Sequence, residues 1–266
     1  MRPFWKGAIT FGLVTVPVSL YSATRSRDLS FRLLHAKDKS PIDYRRFCEA
    51  EDVEVPWSEI VKGYEYEKGR FVVMTDEDFE KARVPASQAF EIRDFVPAAE
   101  IDFLYFEHPY YAEPGRGGAK AYALLREALV ETGRAGIGTI VLRQREHLAA
   151  LRPSDNVLVL TTMRFADEIT PPKSLDVPED GVGDKRQQAL AVRLVESLSA
   201  EWKPSSYRDQ YREVLLTAIK QKLSGKPIRI PAPPKAPKVV DLMKALQESL
   251  RAKGAAPKRG KVRRAA

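Results

Sequence analysis

The fold is decided near the start of the chain, by the run Trp5-Lys6-Gly7-Ala8-Ile9-Thr10-Phe11-Gly12-Leu13-Val14-Thr15-Val16-Pro17-Val18. The run is apolar and β-branched, and it is interrupted by glycines and closed by a proline. Residues of these types favour extended structure, so we predict one strand over residues 5–20. The run holds no His, Cys, Asp or Glu, and it is therefore not a catalytic or metal-binding segment itself.

The first two-thirds of the chain continues in the same strand-like manner. Further segments rich in Val, Ile, Phe and Tyr predict strands at 29–34, 70–74, 89–96, 101–107, 137–143 and 157–164. Many short strands with few intervening helices favour a barrel or a sandwich over a parallel βαβ sheet. The sequence therefore predicts a mainly β core that also contains some helix.

Helical patterns interrupt the strands twice and dominate after residue 172. Thr75 followed by three acidic residues predicts a helix start, and Pro85 limits that helix to about two turns. Apolar residues at helical spacing predict longer helices over 119–132, 185–202, 207–223 and 239–252. Tyr122, Leu125, Leu129 and Thr132 share one face of the first of these, and Leu194, Leu198 and Leu215 are expected to pack in the second and third. Five prolines in 227–237 predict an extended linker, and the basic residues that follow 251 predict a disordered tail.

Composition excludes several classes of protein. One cysteine, Cys48, rules out an internal disulfide and leaves no cysteine-based zinc cluster, and the three histidines lack metal-ligand spacing. The sequence has no apolar run of the roughly 18 residues that a membrane span needs. No signal-peptide pattern precedes Trp5. We therefore expect a soluble cytoplasmic protein with no membrane association and no cofactor.

The positive charge is concentrated at the C-terminal end. The full chain has a formal net charge of +8. Residues 224–266 hold twelve basic and two acidic residues, whereas residues 1–223 hold 32 basic and 34 acidic ones. This distribution predicts a nearly neutral folded body with a basic tail, a pattern that fits non-specific contact with nucleic-acid phosphates.

Four further blocks follow the opening run in order. They are Asp43-Tyr44-Arg45-Arg46-Phe47-Cys48 with Lys62-Gly63-Tyr64-Glu65, then Phe90-Glu91-Ile92 leading through Glu100-Ile101-Asp102 to Tyr110-Tyr111, then Lys120-Ala121-Tyr122-Ala123-Leu124-Leu125-Arg126-Glu127-Ala128-Leu129, and Arg145-Glu146-His147-Leu148-Ala149-Ala150-Leu151-Arg152-Pro153. Together the five blocks resemble the bacterial Ku family over residues 1–225. The second cysteine that some relatives place after the first is missing from 49–55.

The resemblance implies a Ku-core-like β-barrel with a dimerisation arm over residues 1–175. It implies C-terminal helices over 176–226, where the family docks its ligase, and a Pro-rich linker and basic tail over 227–266. Family members are not enzymes. They form homodimeric rings that thread onto double-stranded DNA ends without sequence specificity and recruit the ATP-dependent DNA ligase of bacterial non-homologous end joining. The implied location is the cytoplasm, in association with the nucleoid.

A clamp that ignores sequence should contact phosphates rather than base edges, and lysine and arginine are the expected residues for this. The basic candidates in the body of the chain are Arg32, Lys37, Lys39, Arg45, Arg46, Arg116 and Lys120, and those in the tail are Lys258, Arg259, Lys261, Arg263 and Arg264. The candidates from Arg32 to Arg46 form one cluster, and Arg116 and Lys120 form a second, in which Gly117 and Gly118 are expected to let the backbone approach a phosphate. Arg143, Arg145 and Arg152 form a third, weaker cluster. The alternative interpretation of each cluster is a solvated face or a set of ion pairs.

Partner contacts are predicted in two places. A homodimer has a two-fold axis, so the same patch is used twice. The aromatic-rich stretch with Phe103, Tyr105, Phe106, Tyr110 and Tyr111 is predicted to be the dimer interface, and Tyr207, Tyr211 and Arg212 are predicted to contact the ligase.

Two alternatives to the end-binding ring stay open. One is an architectural protein that binds duplex DNA anywhere, mainly through its tail. The other is a nuclease or a lyase. Asp76, Glu77 and Asp78 fit helix capping better than a two-metal site. No lysine is placed for lyase chemistry, so we predict no catalytic residue and no metal.

Overall fold

The computed structural model describes residues 2–82, 88–177, 184–228 and 242–254. These residues contain nine strands: β1 Trp5–Phe11, β2 Val14–Ser22, β3 Lys62–Glu67, β4 Arg70–Met74, β5 Ala89–Pro97, β6 Phe106–Pro114, β7 Arg134–Leu142, β8 Arg145–Ser154 and β9 Val157–Met163. The α-helices among them are α1 Asp76–Lys81, α2 Ala119–Thr132, α3 Lys185–Leu198, α4 Gln210–Leu223 and α5 Leu242–Gly254. The chain divides into two units, Met1–Pro171 and Pro172–Ala266.

Seven strands of the first unit close into a barrel in the order β1-β2-β6-β9-β8-β7-β5. All neighbouring strands run antiparallel except β1 and β5, which pair in parallel and close the barrel at Ile9 and Phe90. The predicted barrel is therefore confirmed.

The barrel interior is filled by the inward-facing residue of each strand. Ile9, Phe90 and Leu160 are completely buried, and their neighbours in the strand sequence are more exposed. Helix α2 covers this core with Tyr122, Leu125 and Leu129, one turn apart on the face that the sequence predicted. The side chains of the barrel and of α2 thus form one continuous hydrophobic core.

Tyr122 also connects the helix to the barrel wall through its hydroxyl. The hydroxyl donates to the carbonyl of Ala112 at 2.7 Å and accepts from the amide of Leu158 at 2.6 Å. Ala112 and Leu158 are opposite each other where β6 and β9 meet. All three residues are buried, so the phenol bridges two strands inside the core.

The structure corrects three strand predictions. The predicted single strand over 5–20 is a hairpin that turns at Gly12, where φ is +55°. The segment 29–34 contributes only an isolated bridge from Leu34 to Pro41, because no neighbouring strand pairs with it in the described chain. Within 101–107, Phe103–Tyr105 form a 3₁₀ turn, and β6 begins only at Phe106. Strand β8 was not predicted at all.

Between β2 and β5 the chain forms a segment that we call the arm, residues 24–82. It carries the separate two-stranded sheet β3–β4 and helix α1. Thr75 caps α1 through a capping box with Asp78, as predicted. None of the arm residues is fully buried.

Two helices of the second unit, α3 and α4, are shorter than predicted. Helix α3 ends at Leu198, and α4 begins after Asp209, whose carboxylate accepts from the amide of Arg212 at 2.9 Å. Leu194 and Leu215 are half-buried, in line with the packing predicted for them. Leu198 is 56% exposed, so the packing predicted for it is wrong within this chain.

Candidate nucleic-acid interface

The first part of the arm, residues 24–46, carries seven basic and three acidic residues. Two backbone hydrogen bonds close a turn over His35–Ser40. The amide of His35 donates to the carbonyl of Ser40 at 2.8 Å, and the amide of Lys39 donates to the carbonyl of His35 at 2.9 Å. Asp38 accepts from both the amide and the hydroxyl of Ser40, and these hydrogen bonds lower the pKa of its carboxyl. Arg32, Lys37 and Lys39, three of the predicted DNA contacts, are all exposed here.

Arg45 and Arg46 have different environments although they are adjacent. Arg45 forms an ion pair with Glu54 at 2.8 Å, so its charge is partly neutralised. The Arg46 guanidinium lies 4.4 Å from the ring centroid of Trp57. Stacking uses the face of the guanidinium and leaves the N–H groups on its edge directed outward. Arg46 is therefore better suited than Arg45 to hold a phosphate.

The second part of the arm has the opposite charge. Residues 47–82 carry eleven acidic and four basic residues. The sequence reasoning counted charge over the whole body and missed this division, although a count by segment finds it. Only the part up to residue 46 has the electrostatic character of a phosphate-binding surface.

Arg116 and Lys120 lie at the junction of β6 and α2, and both are exposed. The glycines around them were predicted to let the backbone approach a phosphate. In the structure the amide of Gly115 donates to Pro17 at 2.7 Å, and that of Gly118 donates to Gly115 at 3.0 Å. A Cβ at Gly118 would lie 2.9 Å from the Pro17 carbonyl oxygen, so this glycine is required for packing.

The third arginine cluster is divided by the fold. Arg152 stacks on the ring of Phe106 at 4.4 Å on the side wall of the barrel. Arg143, in the turn between β7 and β8, and Arg145, the first residue of β8, instead lie together at one end of the barrel.

The residues predicted to form the dimer interface have mixed positions. Tyr110 packs against Phe4, with ring centroids 4.7 Å apart, and it contacts the core. Tyr105 and Phe106 are half-buried, whereas Phe103 is 79% exposed and Tyr111 is 42% exposed. The structure contains one chain, and this interface stays a prediction.

The residues predicted to contact a ligase lie around the start of α4. Tyr207 and Tyr211 are 71% and 75% exposed, and Arg212 is half-buried. Tyr207 stacks on Trp202 with centroids 5.2 Å apart, and Trp202 is also exposed. An exposed aromatic pair of this kind is typical of a protein contact site.

The remaining predictions concern absences and the tail. Within the described ranges, no group of three His, Cys, Asp or Glu side chains is arranged to hold a metal ion. No helix in that part of the chain is both long and apolar enough to cross a bilayer. The tail residues Lys258, Arg259, Lys261, Arg263 and Arg264 lie outside the described residues.

Comparison with known proteins gives consistent matches. Residues 10–190 match the family model described as the Ku70/Ku80 beta-barrel domain. A relative from Opitutus terrae, named non-homologous end joining protein Ku, is 47% identical over the full length of both chains. Proteins of the same name from Symbiobacterium thermophilum and Bacillus subtilis are 47% and 42% identical, over 95% and 94% of this chain. The matches cover 63% and 82% of those two relatives.

Proposed function

The chain belongs to the Ku family, and from this premise we propose that it binds the ends of double-stranded DNA in non-homologous end joining. The observation that carries the proposal is the family barrel joined to an arm whose first part is basic and exposed. Lys and Arg side chains on an extended segment reach phosphates without reading bases. Such contacts suit broken ends of any sequence.

The chain is proposed to act as a homodimeric ring, because its arm has no core of its own. Tyr44, Trp57 and Tyr64 are 80%, 71% and 67% exposed, and most of the other large apolar residues of the arm are between 39% and 65% exposed. Exposed apolar surface of this extent marks an interaction site. A second copy that presents the same arm would cover it through an isologous interface. We therefore propose that the arm provides most of the dimer contact.

The division of charge gives the arm an orientation on DNA. The basic part, residues 24–46, would line the channel, and the acidic part, residues 47–82, would face away from the phosphates. Like charges repel, so the acidic part also opposes binding in the reverse orientation. Arg46 and the lysines of the 35–40 turn are the proposed contacts.

The second unit is proposed to recruit the ATP-dependent DNA ligase. Its support is the exposed pair Trp202 and Tyr207, together with Tyr211 at the start of α4. Exposed aromatic residues that are held rigid by stacking contribute strongly when a partner buries them.

Competition between DNA topologies tests end binding. The full chain is mixed with a labelled linear duplex, and either unlabelled linear DNA or covalently closed circles of the same sequence compete. A ring that threads from an end predicts that closed circles compete poorly and that linearising them restores competition. Equal competition by circles and linear DNA would refute the ring and would support the alternative, an architectural protein that acts through its tail.

Sedimentation of matched variants tests the dimer. A Tyr44→Ser and Trp57→Ser double variant removes two exposed arm aromatics, and Phe103→Ser removes one of equal exposure from the stretch before β6. We expect the arm variant to sediment as a monomer and the Phe103→Ser variant as a dimer. The reverse result would place the interface at the stretch that includes Phe103 and would refute the proposal for the arm.

A further inference from the structure

One end of the barrel contains a polar pocket, which we call the mouth pocket. It has a volume of about 460 Å³, and its polar lining residues are His108, Tyr110, Arg143, Arg145, His147 and Thr162. Strand register places Arg145 opposite Leu142 and His147 opposite Ile140. Leu142 and Ile140 are buried core residues. Directly opposite residues share one face of a sheet, so Arg145 and His147 belong to the inward face of the barrel. The mouth pocket lies at the end where this face changes from apolar to polar residues.

The lining of the mouth pocket contains two guanidinium groups and no carboxylate. Among the described residues, Arg143 and Arg145 have no carboxylate within ion-pair distance. Two nearby acids, Glu107 and Glu168, act on His147 through their charge, but neither lines the pocket and each has another partner. Glu107 pairs with Arg164 at 3.6 Å, and Glu168 accepts from the amide of Phe165 at 2.7 Å. Arg143 and Arg145 thus form no ion pair with a carboxylate of the described residues, although the charges of Glu107 and Glu168 reach the pocket and partly offset theirs.

The backbone of the turn holds Arg143, the first of these arginines, in an uncommon conformation. Arg143 and Gln144 have φ values of +49° and +71°, in a two-residue hairpin between β7 and β8. Such turns favour Asn and Gly, and larger residues there are strained by about 1 kcal/mol or more. Strain of this kind collects at binding sites.

The neighbouring polar groups are suited to donate hydrogen bonds. The Thr162 hydroxyl oxygen accepts from the amide of His108 at 3.2 Å, so its proton is directed elsewhere. Burial, followed by the charge of Arg145, lowers the pKa of His147, and burial raises the pKa of Tyr110. The Tyr110 phenol therefore remains protonated at neutral pH.

We propose that the mouth pocket binds a phosphate group, with Arg143 and Arg145 supplying the charge and Tyr110 and Thr162 supplying hydroxyl donors. Arginine forms bidentate, charge-assisted hydrogen bonds with phosphate oxygens. The pocket is larger than one phosphate needs, which leaves room for the group that carries it. Two sources share this chemistry: free inorganic phosphate or pyrophosphate, and the terminal phosphate of a DNA end. The site goes beyond the proposed function, which needs only backbone phosphates along the arm.

Calorimetric titration of the full chain with inorganic pyrophosphate at moderate salt tests the free-anion source. The Arg143→Gln and Arg145→Gln double variant removes both charges of the mouth pocket. The control, Arg93→Gln with Arg186→Gln, removes the same charge at exposed positions elsewhere. We expect binding that weakens at least tenfold in the pocket variant and less than twofold in the control. Unchanged thermal unfolding shows that both variants are folded.

A second titration uses short linear duplexes with either a 5′-phosphate or a 5′-hydroxyl. A preference for the phosphate that disappears only in the pocket variant assigns the site to DNA termini, and pyrophosphate binding without that preference assigns it to the free anion. The site is refuted if the wild type shows neither effect, or if the pocket variant and the control behave alike. Neither readout depends on discrimination between linear and circular DNA, so the site and the proposed function fail separately.

Discussion

Replacing Tyr122 by Phe should weaken the barrel by removing one oxygen atom from its core. The hydroxyl bridges the carbonyl of Ala112 and the amide of Leu158, and all three residues are at most 6% exposed. Loss of the hydroxyl leaves one buried acceptor and one buried donor without their partner. Each such group costs about 1–3 kcal/mol.

The two orphaned groups face each other, so closer approach of β6 and β9 would recover part of the loss. The expected fall in the free energy of unfolding is therefore about 1–3 kcal/mol in total. For a unit of this size that corresponds to a decrease in Tm of roughly 2–12 °C.

Scanning calorimetry measures the change in Tm, and amide hydrogen exchange localises it. Exchange should accelerate in peptides that cover β9, because Leu158 loses the acceptor of its N–H. Tyr21→Phe is the matched control. Its hydroxyl donates to Glu113 at 2.5 Å on the surface, so the same substitution there should change stability by less than about 0.5 kcal/mol. Equal effects of the two variants, or unchanged exchange in β9, would refute the assigned bridge.

Three further predictions concern packing, protonation and the tail. Gly138→Ala should destabilise the barrel by about 3 kcal/mol or more in urea unfolding, since its Cβ would lie 1.8 Å from the Glu91 carbonyl oxygen. The control Gly63→Ala, whose Cβ would make ordinary contacts at 3.4 Å, should leave the free energy of unfolding almost unchanged. Burial, then the positive charge of Arg145, lowers the pKa of His147, so its NMR titration should have a midpoint below about 6.5. The contribution of neutral His147 to stability should be lost as the pH falls from about 6.5 through that midpoint. A midpoint at or above about 6.5 would contradict this. Deletion of 227–266 should weaken DNA binding and flatten its dependence on salt while the dimer persists, and an unchanged salt slope would be evidence against a role for the tail.

The sequence predicted the barrel because its strands are marked by β-branched residues, as in β7 and β9. It did not predict the hairpin at Gly12, because the apolar run continues through Leu13, which is fully exposed at the turn. Strand β8 was missed for a related reason. Its turn consists of Arg143 and Gln144 rather than the Asn and Gly that usually mark a two-residue hairpin.

The candidate interface was predicted less completely than the fold. Sequence patterns identified the basic residues of the arm, but not that Glu54 neutralises Arg45 or that Trp57 supports Arg46. These contacts depend on how the chain folds back between residues 46 and 55. Of the mouth pocket, the sequence singled out only the arginines for phosphate contact, because its polar residues come from β6, β8, β9 and the β7–β8 turn. Only closure of the barrel brings them together.

The arm has a topological consequence for the barrel. Strand β1 is hydrogen-bonded to β2 on one side and to β5 on the other, so the 66 residues between Ser22 and Ala89 are an insertion into an otherwise continuous scaffold. The free energy of closing a loop rises only with the logarithm of its length. A connection of this length costs about 2 kcal/mol more than one of roughly eight residues. The scaffold therefore tolerates large changes in the arm, and the surface proposed to meet a partner can diverge while the barrel stays the same.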